Sequence, residues 1–192
     1  MIVALTGMDG NGAVSDLAED LAMLRVAAGS RVLLVSPNPG AYDPQLYDDL
    51  VIDASRRDAD AGGASDDDAL ARAAVIVALV RPAEIEQGHY AAFLARLRQA
   101  QEANPRARVL VTVAHGSEPL TPHQTGCLLV FVAQIPGARL ADTLELDQRG
   151  TYHSHHSELE LDSRKTAYVL CAPEVRHLYS EVFRGRAVRA YS

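Results

Sequence analysis

The chain is nearly devoid of lysine. Its 192 residues carry 18 basic side chains, of which Lys165 is the single lysine and 17 are arginines. Any mechanism that needs a lysine in the N-terminal two-thirds, standard P-loop phosphoryl transfer included, has no residue to use. Cysteine is scarce too. Cys127 and Cys171 are too few and too far apart for a metal cage or a disulfide framework, and read as reduced, partly buried thiols of a cytosolic protein. No apolar run reaches the roughly 18 residues of a membrane span, and the start lacks the basic segment of a signal peptide. Repeats and low-complexity linkers are missing as well. The expected location is the cytoplasm.

What remains is a soluble globular composition, 48% apolar and 22% charged, of a length that suits one domain. The net charge of −7 argues against a wholly basic nucleic-acid module, although the charge is uneven. Nine aspartates, from Asp43 to Asp68, form an acidic middle, whereas Arg176, Arg184, Arg186 and Arg189 make the end basic.

Short apolar runs alternate with helical patterns, the signature of a parallel sheet covered by helices. Ile2–Leu5 reads as the first strand, followed by a loop containing Gly7, Gly10 and Gly12. A helix capped by Ser15 or Asp16 then carries Leu17, Leu21 and Leu24 on one face, and Gly29 stops it. Further strands are expected at Arg31–Val35, Leu50–Ile52, Val75–Val80, Val109–Ala114 and Leu128–Ala133, while Val169 goes with the closing helix. Ser55–Asp68 reads as a polar surface loop, Glu84–Ala103 as one helix ended by Asn104-Pro105, and Glu174–Phe183 as a closing helix. The expectation is an α/β domain over residues 1–184, a mainly parallel twisted sheet with helices on both faces, and a loose basic tail at 185–192.

A strand, a glycine-rich turn and a helix place several backbone N–H groups at a helix N-terminus, where phosphate is attracted by the amides and the helix dipole. The segment Gly7-Met8-Asp9-Gly10-Asn11-Gly12-Ala13-Val14-Ser15 keeps the G-x-x-x-x-G frame of a P-loop, with Ala13 in the lysine position and Val14 in the adjacent hydroxyl position. Glycines between a strand and a helix also serve tight turns and close packing, so a purely structural loop is the competing account.

This frame resembles the ParA/MinD group of P-loop ATPases, which position plasmids, chromosomes and other cargo. That group's loop, K-G-G-x-G-K-[ST]-T, puts its two lysines at Met8 and Ala13 and its second-strand aspartate at Ser36. Its third-strand motif is similar to Tyr47-Asp48-Asp49-Leu50-Val51-Ile52-Asp53, where Asp53 survives as a Walker-B remnant. Ala73–Pro82, Ile135-Pro136 and Gly150 resemble later strand ends and a glycine before the last helix.

The resemblance implies a P-loop-like domain with a nucleotide cradle at Gly7, Gly10, Asn11, Gly12, Ala13, Val14 and Ser15, and magnesium at Ser15 and Asp53. It implies ATP or ADP as cofactor, a homodimer, and a partner in partition or conjugative-transfer machinery. The departures imply the opposite of catalysis. Both lysines and the second-strand aspartate are absent, and Asp9 brings negative charge into the cradle. Removing one stabilising donor costs a phosphoryl or acyl transfer enzyme about 10²–10³ in rate. The leading expectation is therefore a protein that acts by binding, with ATP hydrolysis weak or lost. Two alternatives stand beside it: a weak ATPase switched by ATP-dependent dimerisation, and a regulatory protein-binding module that touches neither nucleotide nor DNA. Asp53 itself has a structural alternative, as a helix cap or as the partner of Arg56 or Arg57.

Other candidates carry plainer accounts. His153, His155 and His156, with Glu158 nearby, have metal-ligand chemistry but not the i, i+4 spacing of a helical site. Ser117, His115 and His123 lack a nucleophile-elbow pattern and read as polar loop residues. Lys165 and Arg164 read as a solvated pair beside the closing helix. The tail arginines, with Arg96, Arg98, Arg106 and Arg108, form either a weak nonspecific DNA surface or a solvated helix face.

Overall fold

The computed structural model describes residues 1–8, 12–35, 44–55, 66–146 and 172–185. Strand β1 spans Ile2–Gly7, helix α1 Gly12–Ala27, β2 Val32–Val35 and β3 Asp49–Asp53. Helix α2 spans Asp66–Arg72, β4 Val75–Val80, α3 Pro82–Glu86 and α4 Ala91–Ala103. The remaining elements are β5 Arg108–His115, α5 Pro122–Ala133, β6 Arg139–Glu145 and α6 Pro173–Val182.

Among the described residues six strands form one sheet in the order β2-β3-β1-β4-β5-β6, and every neighbouring pair is parallel. From β1 the chain steps towards β2, while from β3 it crosses back over β1 to reach β4. Parallel crossovers are right-handed, so steps in opposite directions deliver their helices to opposite faces. This is why α1 covers one side and α2 to α5 the other.

The strands alternate accordingly. On one face Val3, Leu5, Val51, Val75 and Val77 meet Leu17, Leu21 and Leu24 of α1 and Val175, Leu178 and Val182 of α6. On the other, Ala4, Ile76, Ala78, Val109, Val111 and Val113 meet Leu70, Leu94, Leu97 and Phe131. Both strand faces being buried explains the unbroken apolar run of β4. Phe131 is fully enclosed, edge-on to Tyr90 at 5.2 Å and stacked on Phe93 at 6.4 Å. Aromatic contacts of this kind add about 0.5–1.5 kcal/mol to simple burial.

The expected α/β architecture with helices on both faces is present, and Val75–Val80 and the stop at Gly29 fall where the sequence puts them. Gly29 adopts φ +90°, and the N–H groups of Gly29 and Ser30 donate to the carbonyls of Val26 and Arg25, closing α1.

Four expectations need correction. Helix α1 begins at Gly12, so Ser15 lies inside its first turns rather than capping it. The helix expected over Glu84–Ala103 is two helices, parted at Gly88, whose φ of +75° is a left-handed turn conformation. Within the expected Ser55–Asp68 loop, α2 already begins at Asp66.

The largest difference concerns Leu128–Ala133, which is the end of α5 and not a strand; Ile135-Pro136 follows that helix rather than a strand. From Pro119 to Ala138 the chain has no Asp, Glu, Lys or Arg, which erases the polar face that marks a helix. The helix is fixed instead by Pro122 in its first turn and by a capping box. The Gln124 N–H donates to Thr121 Oγ1 at 3.2 Å, and the Thr121 N–H donates to Gln124 Oε1 at 3.0 Å. Leu129 and Val130, on the outward side of α5, are more than half exposed. The strand on that flank is β6, an edge strand whose mixed sequence RLADTLE gave no strong apolar signal. Val169, expected with the closing helix, and the tail beyond Gly185 lie outside the described residues.

Candidate functional site at the carboxyl edge of the sheet

In open parallel sheets ligands bind beyond the carboxyl ends of the strands, where neighbouring strands send their connections in opposite directions. Here that place is the crevice between β1, which leads towards β2, and β4, which leads towards β5. Loop 7–12 leaves β1 at this point and enters α1.

The two residues proposed for magnesium are brought together although 38 positions separate them. Ser15 Oγ donates to Asp53 Oδ2 at 2.5 Å. The other carboxylate oxygen accepts the Ser55 N–H at 3.0 Å and the Ser55 hydroxyl at 2.6 Å. β1 and β3 are hydrogen-bonded neighbours with Leu5 level with Asp53, so the carboxylate stands beside the strand that feeds the loop. Asp53 is 5% exposed. Among the described residues no arginine pairs with it; Arg56, Arg57 and the residues it would cap lie outside them.

The cradle itself is different from a lysine-bearing one. Met8 packs against the second core, and Ala13 and Val14 are 1% exposed within the first. The side chains of Ala13 and Val14 are thus core residues, and only their backbone N–H groups, in the first turn of α1, are left for an anion. A Cβ built at Gly12 meets nothing within 4 Å, so packing does not demand glycine there. Gly7 ends β1 and is buried, while Asp9, Gly10 and Asn11 lie outside the described residues. One turn along, burial and the charges of Glu19 and Asp20 push the Asp16 carboxyl above its ordinary range.

The hard oxygen donors Ser15 and Asp53 fit magnesium, which takes one or two protein ligands together with substrate phosphates. Among the described residues no group of three His, Cys, Asp or Glu is arranged to hold a metal ion. His153, His155, His156 and Glu158 lie outside them.

The arginines are dispersed rather than gathered. Arg25 and Arg31 sit at the opposite, amino edge. Arg25 Nε donates to Asp49 Oδ2 at 2.7 Å, both side chains being buried, and the guanidinium lies 5.0 Å from the Phe183 ring centre. Burial pushes the Asp49 carboxyl up, but hydrogen bonds from Arg25 and the chain's amino group more than reverse this and hold it below its ordinary value. Burial pulls the Arg25 guanidinium down, and its bonds to Asp49 and Tyr179 raise it overall. Arg31 pairs with Asp48 at 3.3 Å.

Arg96 is not on a solvated face. It donates to Asp67 Oδ1 at 2.6 Å, Thr6 Oγ1 at 3.0 Å and the Ala54 carbonyl at 3.3 Å, tying α4 to the ends of β1 and β3 on the side away from α1. Arg98 caps α5 through the Gln134 carbonyl, and Arg108 donates to the carbonyls of Glu181 and Val182 at the end of α6. Arg184 pairs with Glu181 at 3.7 Å, Arg176 is half-buried on α6, Arg106 is exposed, and Arg186 and Arg189 lie outside the described residues.

His115 Nδ1 turns to the Gly116 carbonyl, whereas His123 on α5 faces Cys127 Sγ at 3.8 Å and Glu86 at 3.6 Å. Among the described residues neither ring contacts Ser117. That cluster borders an open groove of about 540 Å³ between α3 and α5.

Sequence reasoning treated one residue at this edge only as a strand end. Arg81 directly follows β4, and its Nε is buried with no hydrogen-bond partner among the described residues. An arginine placed immediately after the strand beside the loop strand was the available signal.

No family model and no curated protein matches the chain. No helix among the described residues is long and apolar enough to cross a membrane.

Proposed function

We propose that the chain is a divergent ParA/MinD-like protein of plasmid or DNA partition, cargo positioning or conjugative transfer, which acts by binding, with ATP hydrolysis weak or lost. The observation that carries this is the Ser15–Asp53 contact at the mouth of a strand–glycine loop–helix unit. A hydroxyl and a carboxylate held together beside a helix N-terminus are the parts that hold a magnesium-bound phosphate. When bound, magnesium would neutralise phosphate charge; Ser15 and Asp53 would hold it.

The parts that speed hydrolysis are lacking. Met8 and Ala13 stand in the two lysine positions and both side chains face the cores. The α1 amides orient an anion but add no full positive charge to a departing phosphoryl group. Retained recognition with lost turnover follows from this division. The dispersal of Arg96, Arg98 and Arg108 confines weak, nonspecific DNA contact to the exposed Arg106, Arg184 and the basic tail.

The test is a melting curve of the purified protein with and without Mg·ATP or Mg·ADP, paired with a phosphate-release assay. A ligand at 100 times its Kd adds about 2.7 kcal/mol, or about 5–11 °C for a chain of this size. We expect such a rise, abolished in Asp53→Ala, with phosphate release at background. Turnover within tenfold of a lysine-containing relative and lost in Asp53→Ala would refute the binding-only assignment. No rise with either nucleotide would refute nucleotide recognition.

A further inference from the structure

We infer that Arg81 is the cationic contact for the phosphoryl groups of a polyphosphate ligand, in place of the missing lysines. This rests on the reading of the carboxyl edge as a phosphate site, but not on the identity of the cargo.

Three observations converge on this residue. The first is its position. β1 and β4 are paired with Gly7 level with Leu79, so Arg81 lies just past the strand end, on the far side of β1 from Asp53. Asp53 and Arg81 thus flank the root of loop 7–12 across the crevice where the strand connections diverge.

The second is direction. In β4, Val75, Val77 and Leu79 face α1, and Ile76, Ala78 and Val80 face the other core. Arg81 is still extended, at φ −104° and ψ 136°, so the alternation continues and sends its side chain to the α1 side. Ser15 and Asp53 occupy that same side, whereas Arg96 emerges on the other.

The third is an unmet demand. The Nε of Arg81 is buried without a partner among the described residues. Buried donors are otherwise almost always satisfied, and an unsatisfied one on a cation is best relieved by an anionic acceptor.

Spacing favours a chain of phosphates over a single one. Asp53 and Arg81 are two strand spacings apart sideways, about 10 Å, and four residues apart lengthwise, about 13 Å. An extended arginine and an Asp53-anchored cation approach each other from the two ends of that gap, and two or more linked phosphates would fill it. A nucleoside di- or triphosphate and inorganic pyrophosphate share this chemistry.

The experiment is titration calorimetry on the full chain with Mg·ADP, magnesium pyrophosphate and adenosine. It compares wild type, Arg81→Gln, Arg81→Lys and the exposed control Arg139→Gln. A charge-assisted contact predicts about 10–100-fold weaker binding of both phosphate ligands to Arg81→Gln, partial recovery in Arg81→Lys and no change in Arg139→Gln. Binding of pyrophosphate comparable to ADP would identify the phosphates as the recognised part; equal binding of adenosine and ADP would overturn the inference.

Unchanged affinity in a folded Arg81→Gln would overturn it alone, leaving the proposed function standing. Wild type that binds none of the three ligands would overturn both. Should Arg81→Gln not fold, Arg81→Lys carries the test, since it lacks the Nε donor and undiminished affinity there contradicts a contact made through that atom.

Discussion

Replacing Arg25 by methionine should be among the most damaging single changes away from the carboxyl edge. Arg25 is 3% exposed and Asp49 0%, and their 2.7 Å bond joins α1 to the start of β3. Methionine preserves much of the packing of the arginine stem but leaves Asp49 with the amino group at 3.0 Å as its remaining charged neighbour. Removing one partner of a buried pair costs about 3–5 kcal/mol, because the other charge stays buried, and the amino group offsets only part of this. The contact with Phe183, which fastens α6 to α1, is lost as well. For a chain of this size the melting temperature should fall by about 6–20 °C. Thermal unfolding followed by circular dichroism at neutral pH measures this.

The pH dependence supplies an independent check. Because the folded state holds Asp49 below its ordinary value of 3.8, the stabilisation is complete above that value and is lost as pH falls through the lower folded value. In Arg25→Met the desolvated carboxyl titrates higher, so the gap between variant and wild type should narrow as the pH falls towards 4. Changing Asp49 as well, in Arg25→Met/Asp49→Leu, should restore much of the loss. A single variant melting within about 2 °C of wild type, or a gap that widens in acid, would refute the account.

Two glycines separate backbone strain from crowding. A Cβ meets nothing within 4 Å at either Gly88 or Gly126, but only Gly88 has a positive φ, +75°. Gly88→Ala should therefore lower stability by about 1–2 kcal/mol, and Gly126→Ala, within α5, should raise it by up to about 1 kcal/mol. Equal melting shifts for the two would contradict this. Thr121→Ala removes one arm of the α5 capping box and should cost about 1 kcal/mol, seen as a drop of about 2–4 °C; a neutral result would mean that Pro122 and packing alone start the helix.

What the sequence could disclose depended on whether a signal was local. The buried strands, the glycine stop of α1 and the presence of Ser15 and Asp53 are readable because each needs only its neighbours. The pairing of Ser15 with Asp53 is not local; only the resemblance implies it, and it arises from β1 and β3 lying side by side with β2 outside them. Helix α5 was misread because burial on one side and an uncharged outer surface on the other remove the helical period. Edge strand β6 was missed for the reverse reason: half of it faces solvent, and its apolar pattern is interrupted. Arg81 carries no local signal beyond its place before Pro82, and only the register of β4 against β1 gives its position meaning.

The carboxylate of Asp53 already has three donors, all from within the chain. A carboxylate so furnished can be buried without a bound cation, so the fold can form without waiting for one.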